Sequence, residues 1–469
     1  MDAPDVAATA AVLDAHRPDL LPRFSAAVPP ARAAVLTRLW GALWREQVID
    51  PARLGGAPPP LFGPPLHRVV ADGAAFTDPG TLAAALGLAA GFRVELDNSV
   101  ANLALAMTAP PSPFGGLAGA EQSIVDGHPL HPCCRTRIGL STLDVLAYAP
   151  EHHPDVRLRV VETDPGRWRT SGVPVPPRFP VHPWQLPRAL ATGLVTDTGV
   201  EIPARPLMSL RTLEVPGGHV KTAVEVQMTS AVRTLSAAAV HNGPLASALL
   251  VALTAGTPEL GVLAERSAGT VLDDAGVPQR ALGAVWRAGP PPGADVLPVA
   301  LLPHRPDLLT PRFFREFVAL MVPPLLELLA NGVALEAHGQ NLLVEVVAGA
   351  PVRLYYRDLG GIHVHPGRLR RAGHVMPPLI GALPTDDEDA LRTKLLAAAG
   401  STVLASLVAA LADPGLWQHV TDAVRAGAAG ADRDVILRRD WPLKATTAMR
   451  LAPDPLQDRW CRVPNPLRG

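Results

Sequence analysis

The chain has 469 residues, 48% of them apolar, and its 42 Lys and Arg nearly cancel its 43 Asp and Glu. That length leads us to expect two or three lobes, and the apolar content excludes a disordered chain. Balanced charge and an aromatic content of only 4% speak against a nucleic-acid or membrane-surface binder.

Three cysteines, Cys133, Cys134 and Cys461, make no disulfide framework. No charge-free apolar run reaches the ~18 residues expected of a membrane span. The acidic start "MDAPDVAATAAVLDAHRPDL" lacks the basic region and apolar core of a secretion signal. We therefore expect a cytoplasmic protein.

Residues 1 to about 108 read as helical, Ala- and Leu-rich with interspersed charges, and broken at "GAPPPLFGPPLH" because proline clusters punctuate helices. A second break, "APPSPFGG", marks a lobe boundary near residue 115. From Glu121 to Pro303, short β-branched runs such as "VRLRVV" and "HVKTAVEVQM" alternate with Gly and Pro turns, which predicts an antiparallel sheet. One helix is expected inside this region, "AVRTLSAAAVH", with Thr229 or Ser230 as N-cap and Asn242-Gly243 as its stop. After Pro303 helices dominate again, apart from one hairpin.

That hairpin carries the first chemical signal. "LEAHGQNLLVEV" places Glu336, His338, Gln340 and Asn341 at the mouth of an apolar strand. Unpaired polar groups out of water are costly, so these need partners. A two-residue loop at Gly349-Ala350 pairs positions that sum to 699, which sets Asn341 opposite Asp358. Two carboxylates and an amide oxygen at one hairpin end are hard ligands suited to Mg²⁺ beside phosphate oxygens. A hairpin end that merely meets water is an equal alternative.

A basic counterpart lies upstream. Ser209, Arg211 and Thr212 are expected on one strand, "PGG" turns it, and Lys221 follows on the return strand. A three-residue loop puts Arg211 and Lys221 on one face, whereas a two-residue loop separates them. In "TSAVR", Arg233 in the first turn of a helix is unfavourable unless an anion compensates it. An exposed, solvated arginine is the plainer alternative. "GHPLHPCCRTRIGLS" holds His128, His131, Arg135 and Arg137, but its H-x₂-H-x-C-C spacing fits no common zinc site, and contact with an anion suits the arginines better. No P-loop or kinase Gly-rich motif occurs in the sequence.

Taken in order, "GHPLHPCCRTRIGLS", "HPWQ", "SLRT", "HVKTAVEVQMTSAVRTL", "HNGP", "GVALEAHGQNLLVE", "YYRDLGG" and "LKATTAMR…VPNPL" resemble the IucA/IucC family of NRPS-independent siderophore synthetases, over about Glu121 to the C-terminus. The resemblance implies an α+β fold shaped as a cupped hand, with a helical thumb (1–115), antiparallel-sheet fingers (116–303) and a mostly helical palm (304–469). It implies an enzyme that uses ATP and Mg²⁺ to adenylate citrate or a related carboxylic acid, releases pyrophosphate, and condenses the product with an amine or hydroxyl. Carried over residue by residue, Ser209, Arg211, Thr212, Lys221 and Gln340 would hold ATP. Glu336, Asn341 and Asp358 would ligate the metal. Arg233 and His338 would sit between α-phosphate and carboxylate, with Lys221 also catalytic, while His131, Thr229 and Ser230 would orient the acid. A homodimer is implied as well.

Two departures from the family stand out: Arg135 where lysine is usual, and a shorter N-terminal part, which bears on the nucleophile. A kinase-like phosphotransferase, loosely similar in "HGQN" followed by "RD", and a non-catalytic citrate-binding protein are the alternatives.

Overall fold

In the computed structural model, which describes residues 2–468, helices open the chain and dominate its last third, on either side of a large sheet in the sequence. Helix α1 (Leu21–Glu46) buries Phe24, Val28, Val35, Leu39 and Leu43, the three-to-four-residue spacing of one helix face. It runs through Pro29 and Pro30, contrary to the expectation that paired prolines break helices. Ser25 and Ala26, whose carbonyls lose their partners, are exposed, so water can replace the missing donors.

Helix α2 (Ala90–Ala106) buries a polar stripe as well as an apolar one. Its Asn98 Oδ1 accepts from Arg137 N at 2.8 Å, Ser99 Oγ accepts from Arg135 N at 3.1 Å, and Thr136 Oγ1 donates to Glu95 O at 2.8 Å. The His131 segment is thereby hooked onto α2, and each buried polar group finds the partner that burial demands.

The central sheet has eight antiparallel strands. In chain order they begin with β1 (Val156–Thr163), β2 (Trp168–Gly172), β3 (Arg178–Val181), β4 (Val195–Pro206), β5 (Thr212–Val215) and β6 (Gly218–Thr222). The chain leaves the sheet as the hairpin β7 (Val224–Met228) and β8 (Ala231–Arg233), then returns as β9 (Glu265–Leu272) and β10 (Pro278–Arg287). The order across the sheet is β2-β9-β10-β6-β5-β4-β1-β3. The antiparallel sheet expected in this region is present.

Between β8 and β9 lies helix α3 (Ala237–Leu253), and here the local expectation fails. "AVR" is strand β8, not the first turn of a helix, because Thr229, in left-handed backbone at φ 56°, starts a hairpin instead. The N-cap is Ser236, whose Oγ accepts from Ala239 N at 3.0 Å. Asn242-Gly243 does not stop the helix, which continues through Pro244 to Leu253.

Helix α4 (Pro311–Ala330) and the long α5 (Glu388–Leu411), with a π-helical stretch at Leu396–Leu404, build the last third around one apolar core. By length and composition alone α5 could cross a membrane, yet 67% of its most apolar window is buried in the molecule. The hairpin β11 (Leu342–Val347) and β12 (Ala350–Tyr356) packs against α4. Its loop is Ala348-Gly349, with both residues at positive φ (49° and 78°), as a type I′ turn requires.

Two of the cores cross the boundaries drawn at 115 and 303. One joins α1 and α2 to Cys133, Trp184 and Val226, and the other joins Leu249 and Leu253 of α3 to α4 and α5. The C-terminal residues also return to the N-terminal helices: Ala448 N donates to Glu46 Oε2 at 2.7 Å, and Arg450 Nε to Glu95 Oε2 at 2.7 Å.

Candidate active site

The cationic side starts at the β5–β6 hairpin. Its loop is two residues, Pro216-Gly217, and Thr212 pairs with Lys221. On a continuous strand that register would put Arg211 and Lys221 on opposite faces. However, Ser209 and Arg211 are not on the strand: they form a turn closed by Thr212 N to Ser209 O at 2.9 Å. Freed from the pleat, the Arg211 guanidinium donates to Thr234 O at 2.8 Å. Burial, then the neighbouring Arg233 charge, lowers Arg211 to about 10.

Lys221 Nζ reaches both Asp358 oxygens, at 2.8 and 2.9 Å. Asp358 in turn lies 3.7 Å from Arg287, which is paired to Glu265 at 2.8 Å. Burial alone would raise the Asp358 carboxyl; Lys221, Arg287 and Arg211 overcome it and hold Asp358 ionised, well below the usual carboxylate range. Burial lowers Lys221, and the Asp358 charge opposes that shift.

The β7–β8 turn supplies a second group of contacts. Arg233 donates to Thr229 Oγ1 at 2.6 Å and to Met228 O at 2.9 Å, which folds its head back over the turn. Ser230 Oγ lies 2.6 Å from His131 Nε2. Cys133 N donates to His131 Nδ1 at 3.0 Å, so in the neutral ring Nε2 carries the proton and Ser230 Oγ accepts it. The ring is neutral because burial, helped by Arg233, Arg450 and Arg38, pulls His131 down to about 3. The Ser230 hydroxyl proton is left free to point at an acidic ligand.

The acidic hairpin is shifted by one residue from the expected register. Pairs near the site sum to 698, as in Leu342 with Tyr356, so the position opposite Asn341 is Arg357, whose N donates to Asn341 O at 3.1 Å. The sequence reading placed the loop one residue late, and a bulge between Glu345 and Val346 absorbs one further residue. Asp358 stands just beyond the last pair in left-handed backbone at φ 71°, which aims it at Lys221.

Glu336 is drawn elsewhere, with Lys444 at 3.4 Å and Lys394 at 3.7 Å. Burial would raise it, and Lys444 first, then Lys394, lower it below the ordinary value. Burial also lowers His338, and Gln340 N donates to its Nδ1 at 3.3 Å, which leaves the proton of the neutral ring on Nε2. Gln340 holds Arg357 through its carbonyl at 3.0 Å, and Asn341 Nδ2 donates to Glu336 O at 3.3 Å.

A hollow open to solvent lies between the sheet, α3 and the end of this hairpin. Lys221, Asp358, Glu265 and Ser236 form its polar side; Leu235, Ala238, Val285 and Leu383 form its apolar side. Among the residues assigned by resemblance, Lys221 and Asp358 line it directly, and Arg211 and Arg233 act on the Asp358 charge from alongside. Glu336 and Asp358 both act on the buried Tyr356 hydroxyl between them, although each faces its own lysine. Among the described residues no group of three or more His, Cys, Asp or Glu could hold a metal, and the assigned set contains only two carboxylates. Those two are hard oxygen donors held ionised by neighbouring cations, a donor chemistry that suits Mg²⁺.

Sequence reasoning missed Arg287, Glu265, Lys394, Lys444 and Asp458, the last paired to Lys444 at 3.0 Å and to Lys394 at 3.3 Å. A signal existed for the first: an arginine ending the apolar run "ALGAVWR" must have a buried partner. Arg135 and Arg137 do meet an anion, but an internal one, the buried Glu151 carboxylate, at 3.3 and 2.7 Å.

The family model described as "IucA / IucC family" matches residues 116–174 and 178–304, and one described as "Ferric iron reductase FhuF-like transporter" matches 311–455. Staphyloferrin A synthase of Staphylococcus aureus is 24% identical over 359 residues, which are 62% of this chain and 60% of that protein. Aerobactin synthase of Escherichia coli is 28% identical over 228 residues, 39% of each chain. The chain thus spans about 60% or less of the length of these relatives. Among solved structures, ATP-bound aerobactin synthetase IucA from Klebsiella pneumoniae superimposes with a TM-score of 0.74 at 19% identity, covering 92% of this chain and 99% of that one. The petrobactin biosynthesis protein AsbB from Bacillus anthracis gives 0.79 at 19% identity, covering 95% and 97%. The α+β fold is therefore shared.

Proposed function

Because the chain belongs to the IucA/IucC family, we propose that it is an ATP-dependent ligase of siderophore biosynthesis that adenylates a carboxylate of citrate or a related polycarboxylic acid. The observation that carries this reading is the convergence of Lys221, Arg211, Arg233 and Arg287 on Asp358 beside an open hollow. Bringing a carboxylate up to a triphosphate opposes like charges, and a group of buried cations that outnumbers the one carboxylate they share is what such an encounter needs. An ATP-bound neighbour of the same fold, and relatives named as citrate ligases, support the same reading.

In this proposal Arg211 and Lys221 neutralise phosphate oxygens, with Ser209, Thr212 and Gln340 at the nucleotide. Ser230 donates its free proton to the acid, His131 fixes that hydroxyl, Thr229 orients the acid from the same turn while accepting from Arg233, and Arg233 with His338 Nε2–H bridges acid and α-phosphate. A carboxylate oxygen attacks the α-phosphorus and pyrophosphate leaves. An amine or hydroxyl then attacks the acyl carbon, and AMP leaves as the amide or ester forms. Glu336, Asn341 and Asp358 would hold Mg²⁺, which supplies charge to the phosphates. We place the enzyme in the cytoplasm, as a homodimer without nucleic-acid or membrane partners.

The test is hydroxylamine trapping with ATP and Mg²⁺ over citrate, citryl monoamides, 2-oxoglutarate and succinyl compounds. Acid-dependent release of pyrophosphate and AMP is expected. ADP as the nucleotide product makes the enzyme a phosphotransferase instead, and turnover with none of the acids leaves a binding protein.

A further inference from the structure

The motif "HNGP" has no role in the reading above, yet it lies in α3 against the hollow. Asn242 is 2% exposed, and its amide is fully engaged in one direction: Nδ2 donates to Ile380 O at 2.8 Å, and Ile380 N donates to Oδ1 at 2.9 Å. His241 Nε2 reaches Pro378 O at 2.8 Å one residue earlier. Both contacts grip "MPPLIGAL", residues 376–383, a segment without helix or strand that crosses from the last third of the chain to α3.

This strap ends in Leu383, which lines the hollow together with Val285 and Leu235. A proline-rich irregular segment with few ladder bonds of its own holds its shape only through such side-chain locks. Asn242 satisfies both polar groups of Ile380, as a neighbouring strand would, so its removal frees the strap where the apolar wall begins.

We propose that Asn242 is a positioning residue: it lines the hollow, but both polar atoms of its amide are taken up by Ile380, and through Ile380 it holds the 376–383 strap as the wall that closes the hollow on the nucleotide and so sets nucleotide affinity. The inference rests on the ATP reading above. The hollow has the character such a ligand needs, with Lys221 and Asp358 at one end and small or aliphatic residues along the other.

The test compares wild type, Asn242→Ala and Gly381→Ala by calorimetric titration with a non-hydrolysable ATP analogue and by hydrogen exchange over 374–384. Alanine suits a helix interior, so Asn242→Ala is expected to keep the fold. Gly381 sits at φ 74°, so alanine there strains the strap independently of Asn242. We expect nucleotide binding to weaken 10-fold or more in both variants, exchange in the strap to speed up at least 10-fold, and the KM for the acid to move less than 3-fold. Unchanged nucleotide affinity in Asn242→Ala, or unchanged strap exchange, overturns this proposal while leaving the ATP reading standing. Failure of the wild type to bind the analogue overturns both.

Discussion

Single residues decide whether the cations face a ligand or one another. Asp358 balances Lys221 at 2.8 Å and Arg287 at 3.7 Å. Asp358→Asn keeps the shape and removes the charge, so two buried cations lose their counter-ion. Breaking a buried pair costs ~3–5 kcal/mol, but Asp358 is a third exposed and water screens part of that, so we expect ~1–3 kcal/mol in chemical denaturation. Pyrophosphate release should fall 100-fold or more, and near-wild-type release would remove Asp358 from the site. Arg233→Lys tests geometry instead of charge: Arg233 Nη2 alone donates to both Thr229 and Met228, which leaves the other guanidinium N–H groups for a ligand, whereas lysine has a single nitrogen for all of them. The variant should bind the nucleotide within 3-fold of wild type and lose 10-fold or more in kcat/KM for the acid; equal loss for both ligands would refute the division of labour. At this scale part was legible, because Lys221 is a charge inside a β-branched run and Asp358 ends an apolar and aromatic one. Lys444 and Lys394 were not, since their partner Glu336 is 108 and 58 positions away in sequence and only folding brings them together.

Elements were legible in kind and less so in register. The sheet, the flanking helices and the acidic hairpin all follow from period and composition. What failed was local: the hairpin loop, displaced by one residue, and the helix start, displaced from Ser230 to Ser236. Both errors have one cause. Left-handed backbone at Ala348 and Thr229, neither of them glycine, makes turns that turn propensities do not advertise. The short helical turn Leu359–Gly361 after Asp358 depends on close approach instead: a Cβ on Gly361 would stand 2.0 Å from Glu336 Oε2. Gly361→Ala must therefore push the Glu336 carboxylate or the turn aside. We expect the Mg²⁺ concentration for half-maximal activity to rise at least 10-fold, with the melting temperature within a few degrees of wild type. An unchanged Mg²⁺ requirement would show that Glu336 does not serve the metal.

At the scale of the whole molecule, buried titratable groups tie stability to pH with two opposing signs. His131, His182 and His219 are buried, and desolvation holds each near 3. In the unfolded chain they take up protons below about 6.5, whereas the folded rings stay neutral. The unfolded state then binds more protons, so stability is lost as pH falls from about 6.5. Glu46 does the reverse. Its carboxyl, buried where α1 meets the C-terminal residues, is raised to about 7 by desolvation, against the donation from Ala448 N. Between about 4.5 and 7 the folded state holds a proton there that the unfolded state has released, so this contribution fades as pH rises through that window. Three histidines outweigh one glutamate, each worth at most about 1.4 kcal/mol per pH unit, and His128, His152 and His338, which burial also lowers, act in the same direction. The net effect of acidification from about pH 6.5 to 5 is therefore a loss of stability. Unfolding free energies at pH 5, 6, 7 and 8 should therefore rise to about pH 7 and level off. Glu46→Gln removes the opposing contribution, so the rise between pH 5 and 7 should steepen by about 1 kcal/mol per unit. A flat profile, or one that Glu46→Gln leaves unaltered, would mean that these groups do not carry the protonation states their burial imposes.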